Sequence, residues 1–160
     1  MKFVQIMIVA LAAMLSQPVI AQDKGKSADT NMEILAQKIK ADKKLLVATN
    51  MELTDAEAKK FWPVYEAYQA DLQKLNKRLA KLILDYAEVY NKGSVPNATA
   101  KKLLDEALAI EAAEVQLKRS YVPKLEKALP EMKVARYMQI ENKIRAIVNY
   151  ELAAQIPLVE

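Results

Sequence analysis

The side chains best placed to do chemistry are four cations, Lys74, Lys77, Arg78 and Lys81, and two carboxylates, Glu111 and Glu114. The cations stand three or four residues apart with no acid between them, so on a helix they form a basic band along one side. Two readings are open: a solvated face beside a core seam, or an electrostatic surface that attracts acidic or unfolded protein clients. Glu111 and Glu114 share a helix face by the same spacing and read as solvated charge rather than as a hard-cation site. What is missing decides more. The chain has no histidine and no cysteine, so zinc, nickel and copper sites of ordinary ligand type, di-iron sites built on Glu-x-x-His, and histidine acid–base or triad chemistry cannot be assembled. Two glycines in 160 residues leave no Gly-rich phosphate loop. The inventory points away from an enzyme and implies no cofactor.

The basic band must be held by the stretch from Leu53 to Tyr90. Thr54 is placed to cap a helix, and Glu57, three residues on, can reach back to complete a capping box. Apolar residues then fall at Phe61, Tyr65, Tyr68, Leu72, Leu75, Leu79, Leu82, Tyr86 and Val89, alternating four and three in a heptad seam. A helix of that length runs roughly 50 Å. Trp62 and Ile83 flank the seam and Leu84 projects opposite it, which makes these three the apolar candidates for gripping a partner beside the basic band. Pro63 lies beyond the tolerated first turn and predicts a bend. Phe61, Trp62, Tyr65 and Tyr68 around it read either as a packed bend or as an exposed aromatic patch.

Three further helices are expected. The first, Asp29 to Asn50, has a thin apolar face (Met32, Leu35, Ile39, Leu46) and leads through a short turn, Asn50 to Glu52, into the long helix. After a loop around Pro96, a third runs from about Ala98 to Leu129, with two adjacent stripes: Leu103, Ala107, Ile110, Leu117, Tyr121, and Leu104, Leu108, Val115, Val122, Leu125. Pro123 should kink it. Pro130 should open the fourth helix, burying Tyr137, Ile140, Ile144, Ile147 and Leu152 and stopping before Pro157. The fold class is therefore all-α: four helices, with one long heptad-patterned helix in a hairpin, kinked at prolines, cradle-like or a bundle. No strand pattern occurs.

Ahead of these helices, residues 1–21 read as a cleavable signal peptide. Met1-Lys2 is a positive start, Phe3 to Leu15 is apolar apart from Gln5, and Val19-Ile20-Ala21 offers a small-residue cleavage site. The run is too short for a membrane span of about 20 residues, and with no cysteine after it a lipoprotein anchor is excluded. The mature chain is expected to start at Gln22 and be periplasmic. Residues 22–28 are polar and read as a disordered leader, and 29–160 as a single all-helical domain. Removing Lys2 takes the net charge from +4 to +3, a mild excess with mixed signs. Nucleic-acid binding is not supported by charge or motif.

Leu53-Thr54-Asp55-Ala56-Glu57 resembles the LTxxQ motif of the small periplasmic Spy/CpxP family, with Glu57 in the place of the glutamine. The order of features from Asp29 to about Leu129 is also similar: a thin first helix, the motif, then long helices. The resemblance implies a helical, cradle-shaped antiparallel dimer, acting as an ATP-independent chaperone or as a regulator that binds a periplasmic envelope-stress sensor domain. Some relatives respond to zinc or nickel; without histidine and cysteine this chain does not share that property. The alternative is a structural or scaffold protein whose long helices pair with a fixed envelope partner. A homodimer is expected, because the third and fourth helices are interrupted by proline and a second long helix could cover the Phe61 to Val89 face.

Overall fold

The structure, a computed structural model, describes residues 40–159. All the regular structure among them is helical: α1 over 40–51, α2 Asp55–Tyr90, α3 Asn97–Glu126 and α4 Glu131–Gln155. The chain divides into two compact units at Asn50–Met51, and the second holds α2, α3 and α4. The expectations for the signal peptide, the polar leader, the cap of the first helix and Met32, Leu35 and Ile39 lie outside the described residues. Within α1, Leu46 is exposed, whereas Val47 and Met51 are buried.

α2 starts where its sequence says it should. Thr54 takes extended backbone, its Oγ1 accepts from the Glu57 backbone N–H, and the Glu57 carboxylate accepts from the Thr54 N–H at 2.8 Å. The chain enters this cap through Glu52, which sits at φ 48°, a left-handed conformation that a non-glycine residue adopts only when its surroundings hold it. At the far end the helix stops at Tyr90, Asn91 caps it, and Gly93 turns the chain at φ 116°. Pro63 and Pro123 both lie inside helices that continue past them. Each removes an N–H from the ladder, but both prolines are exposed, as are Lys59 and Arg119 one turn earlier. The freed carbonyls therefore face water, which lowers the cost of an interior proline.

Against the heptad expectation, the buried stripe of α2 follows a different repeat. Phe61, Tyr65, Tyr68 and Leu72 are buried as expected, but the stripe continues through Ala80, Ile83 and Ala87. Leu75, Leu79, Leu82, Tyr86 and Val89 are half-buried beside it. Phe61, Leu72 and Ile83 recur every eleven residues, a spacing of about 3.67 per turn that stays in step with a nearly straight helix. A strict seven-residue seam drifts about 20° per heptad unless a partner supercoils with it. Its neighbours within the chain, α3 and α4, are shorter than α2 and bounded by prolines, and against them the buried face keeps the helix's own period.

α3 runs back along α2 and α4 returns parallel to it. Cross-links set the directions: Tyr121 to Asp71 and Glu106 to Arg78 descend, whereas Lys133 to Glu57, Glu141 to Gln69, Arg145 to Asn76 and Pro157 to Tyr86 ascend together. The result is an up-down-up bundle of three helices. Its centre is aromatic. Tyr68 meets Tyr121 of α3 at 5.3 Å and Tyr137 of α4 at 6.0 Å, and Phe61 meets Tyr137 edge-on at 5.1 Å. Such pairs add about 0.5–1.5 kcal/mol each beyond the area they bury. The upper part of the α2 seam is thus covered within one chain, which removes the reason for expecting a second copy over Phe61, Tyr65, Tyr68 and Leu72.

α3 ends at Glu126 rather than near Leu129, because the residue before Pro130 is steered out of helical backbone. Pro130 is the cap of α4 rather than its first residue. The second stripe expected to be buried on α3 is largely in solvent: Leu104, Leu108 and Val115 are 58%, 54% and 48% exposed. Ile147 of α4, also expected in the core, is 64% exposed, while Val134 and Glu141 are buried. A helix with two neighbours buries an arc, not both of two adjacent stripes.

Candidate functional site

The start of α2 is where three segments converge. Lys133, in the first turn of α4, donates to Glu57 Oε2 at 2.6 Å and to the carbonyl of Glu52 at 2.9 Å. It therefore fixes both the capping carboxylate and the left-handed residue before the cap. Lys133 beside Glu57, aided by the Thr54 backbone N–H, holds that carboxyl below the usual carboxylate range. Next to this corner is an open groove of ≈ 350 Å³, lined among the described residues by Asp55, Ala58, Lys59 and Trp62. Trp62 is half-buried, edge-on to Phe61 at 5.0 Å and to Tyr65 at 5.3 Å. The aromatic cluster around Pro63 is therefore core, with only the Trp62 rim reaching solvent.

The basic band is present but largely neutralised. Lys74 pairs with Asp71 at 2.7 Å, Arg78 with Glu106 of α3 at 3.0 Å, and Lys81 with Asp85 at 2.6 Å. Lys77 alone has no ion-pair partner among the described residues. Exposed pairs of this kind contribute little to stability, but they cancel the field that would draw in acidic clients. Ile83, expected to flank the seam as a partner contact, is only 4% exposed. It belongs to the eleven-residue stripe, so it is core and offers no surface. Leu84 is 39% exposed, on the outer side as expected.

Sequence reasoning missed a polar column between the helices. Gln69 donates to Glu141 at 2.8 Å and to the Tyr137 hydroxyl at 3.3 Å. Half a bundle further on, Arg145 donates from Nε to Glu114 at 3.1 Å and from its terminal nitrogen to Asn76 at 2.9 Å. Glu114 also accepts Lys118, so it is engaged from two helices and its side chain is 17% exposed. The signal was legible: Glu141 and Arg145 sit four and eight residues after Tyr137, on the core face of α4.

The tyrosines around this column are shielded. Burial, reinforced by the Glu141 charge, pushes the Tyr65, Tyr68 and Tyr137 phenols well above their ordinary range. Burial, helped by Asp71, pushes Tyr121 up to about 12. Lys74, and after it the Tyr121 hydroxyl at 2.7 Å, hold the Asp71 carboxyl below its usual value. Tyr68 stands apart, because its hydroxyl is buried with no hydrogen-bond partner among the described residues. The arrangement can hold three helices in one register. No helix among the described residues is long and apolar enough to cross a membrane. Comparison with protein-family profiles, curated proteins and solved structures finds no match to this chain.

Proposed function

We propose that this protein is an exported, non-catalytic helical binding protein of the Spy/CpxP kind, acting as an ATP-independent chaperone or as a regulator of a periplasmic sensor domain. The observation that carries the reading is the row of exposed apolar side chains on α3, Leu104, Leu108 and Val115, on a helix whose opposite face is core. Exposed apolar rows rimmed by charge are the usual grip for unfolded or partner segments. Here Asp105 and Arg119 flank the row, and Glu111 stands within it between Leu108 and Val115. The LTxxQ-like start adds support, since its capping box is formed by Thr54 and Glu57. Of the residues first considered for binding, Ile83 alone is buried, while Lys74, Arg78 and Lys81 are exposed but ion-paired, so the grip moves from the basic band toward α3. A homodimer belongs to the same reading, with its contact on the half-buried Leu75 to Val89 stretch instead of the covered Phe61 to Leu72 part.

The test is suppression of aggregation of a reduced or heat-unfolded client by the purified protein. Wild type should suppress it at near-stoichiometric ratios, and Leu104→Lys with Leu108→Lys should abolish the effect while leaving helicity unchanged. No suppression by wild type, together with tight capture of one envelope protein, favours the scaffold alternative. The burial of the Pro63 aromatic cluster is the observation on that side.

A further inference from the structure

Among the described residues, Glu52 is the one non-glycine residue with a positive φ, at 48°. An L side chain takes that conformation at a cost, because its Cβ crowds the following carbonyl oxygen, and glutamate is not among the residues that adopt it readily. Something in the fold therefore holds it there. Two holders are available. Met51 is fully buried and Leu53 half-buried, so packing pins the chain on either side. The polar contacts that reach Glu52 from elsewhere in the fold, among the described residues, both come from the start of α4: Lys133 Nζ donates to the Glu52 carbonyl at 2.9 Å, and Arg136 stands 3.7 Å from the Glu52 carboxylate. The Arg136 pair is long and solvated on both sides, so it counts for little. The Lys133 contact is charge-assisted, its side chain is 22% exposed, and its ammonium is already fixed by Glu57 at 2.6 Å.

We infer that Glu52 is a latched elbow: Lys133 holds it left-handed while the first turn of α4 is docked, and the residue relaxes to negative φ when that turn lifts away. Rotating φ back by about 110° to the ordinary region swings the carbonyl off the ammonium, so the latch and the relaxed backbone exclude each other. That exclusion makes the elbow a two-state element, and whatever biases α4 biases it. Glu52 is the second residue past the boundary between the two compact units, and its φ sets the course on which the chain enters the cap of α2. A partner that draws α4 off its seat is thereby registered 81 residues earlier in the chain. The device uses neither the α3 row nor the basic band, so it stands or falls independently of the proposed function.

Two measurements on the purified protein test it. The first compares Glu52→Gly with Glu52→Ala, both lacking the carboxylate, so that they differ chiefly in backbone preference. At a left-handed position glycine is the better residue, and at negative φ alanine is. With Lys133 present, Glu52→Gly should melt about 3 °C above Glu52→Ala, and with Lys133→Met the order should reverse by a similar margin. The second is the initial rate of cleavage after Glu52 by a glutamate-specific endoprotease, which acts on the locally opened chain. Lys133→Met should raise that rate about tenfold, the effect of losing one hydrogen bond of ordinary strength. Glu57→Gln removes the ammonium's charged partner but leaves the carbonyl contact, and should keep the rate within about twofold of wild type. Cleavage after Glu88 and Glu111, exposed on α2 and α3, controls for general loosening, and far-UV circular dichroism checks the fold. Glycine above alanine in both backgrounds assigns the turn to the packing of Met51 and Leu53 and overturns the inference. Alanine above glycine in both means that Glu52 is not left-handed in solution, which overturns it as well. So does cleavage after Glu52 that Lys133→Met leaves unchanged, that Glu57→Gln speeds as much, or that rises no more than cleavage after Glu88 and Glu111.

Discussion

Lys133 Nζ lies 2.6 Å from Glu57 Oε2, so the carboxylate that closes the first turn of α2 also anchors the first turn of α4. Glu57→Gln keeps the capping geometry and removes the charge that Lys133 meets. It should lower the melting temperature in the native background and much less when Lys133 is already Met, since the two changes share one interaction. The sign with pH follows from the lowered carboxyl: its contribution is full above the ordinary carboxylate range and is lost as pH falls through the folded-state value. The gap between wild type and Glu57→Gln should therefore close in acid, as read by thermal melts at pH 7 and in the acid range.

Tyr68→Phe should stabilise the protein. The hydroxyl is buried and unpartnered, so deleting it relieves a desolvation cost of about 1 kcal/mol with the ring still packed against Tyr121 and Tyr137. The same change at Tyr121, whose hydroxyl donates to Asp71, should destabilise. Urea midpoints for the two variants should move in opposite directions.

Alkaline titration should reveal the shielded phenols. Of seven tyrosines, Tyr65, Tyr68, Tyr121 and Tyr137 have raised values. Raised phenols contribute stability that is fully present below their unfolded value near 10 and is lost as pH climbs above it. Phenolate absorbance should rise in two phases, the later one coinciding with loss of helicity. A single phase completed with helicity intact would contradict the burial of these rings.

Arg145→Met should cost about 2 kcal/mol by leaving Glu114 and Asn76 without their shared donor. Adding Glu114→Met should recover part of that, because an apolar pair of similar volume replaces a costly polar one. Denaturant unfolding of the single and double variants measures both.

Export predicts an intact mass for periplasmic material that corresponds to a chain starting at Gln22. A full-length protein held in the membrane fraction would contradict the cleavage site after Ala21.

The helices were legible because their punctuation is local. Thr54 with Glu57, Gly93 and Pro130 mark ends through backbone chemistry that tertiary packing did not override. What could not be read was which apolar stripe wins. Seven- and eleven-residue spacings coincide from Phe61 to Leu72 and separate only at Leu75 against Asn76. The choice there depends on what packs opposite, which neighbouring residues do not encode. Ile83 was misplaced for that reason, and so were Leu104 and Ile147. The column of Gln69, Glu141, Asn76 and Arg145 joins residues about 70 positions apart, so only the odd polar side chain on an apolar face hinted at it.

That separation also sets an order of assembly. The α2–α3 bridges close short spans, such as Arg78 to Glu106 over 28 residues, whereas α2–α4 bridges close spans of 76, 72 and 69. Closing the longer loops costs more chain entropy and must wait until the last helix has emerged. During synthesis the α2–α3 hairpin can form while Phe61, Tyr65 and Tyr68 still lack the ring of Tyr137. The final thirty or so residues act as a delayed clasp over an aromatic face, and amide protons of α4 should be the first to exchange when that clasp opens.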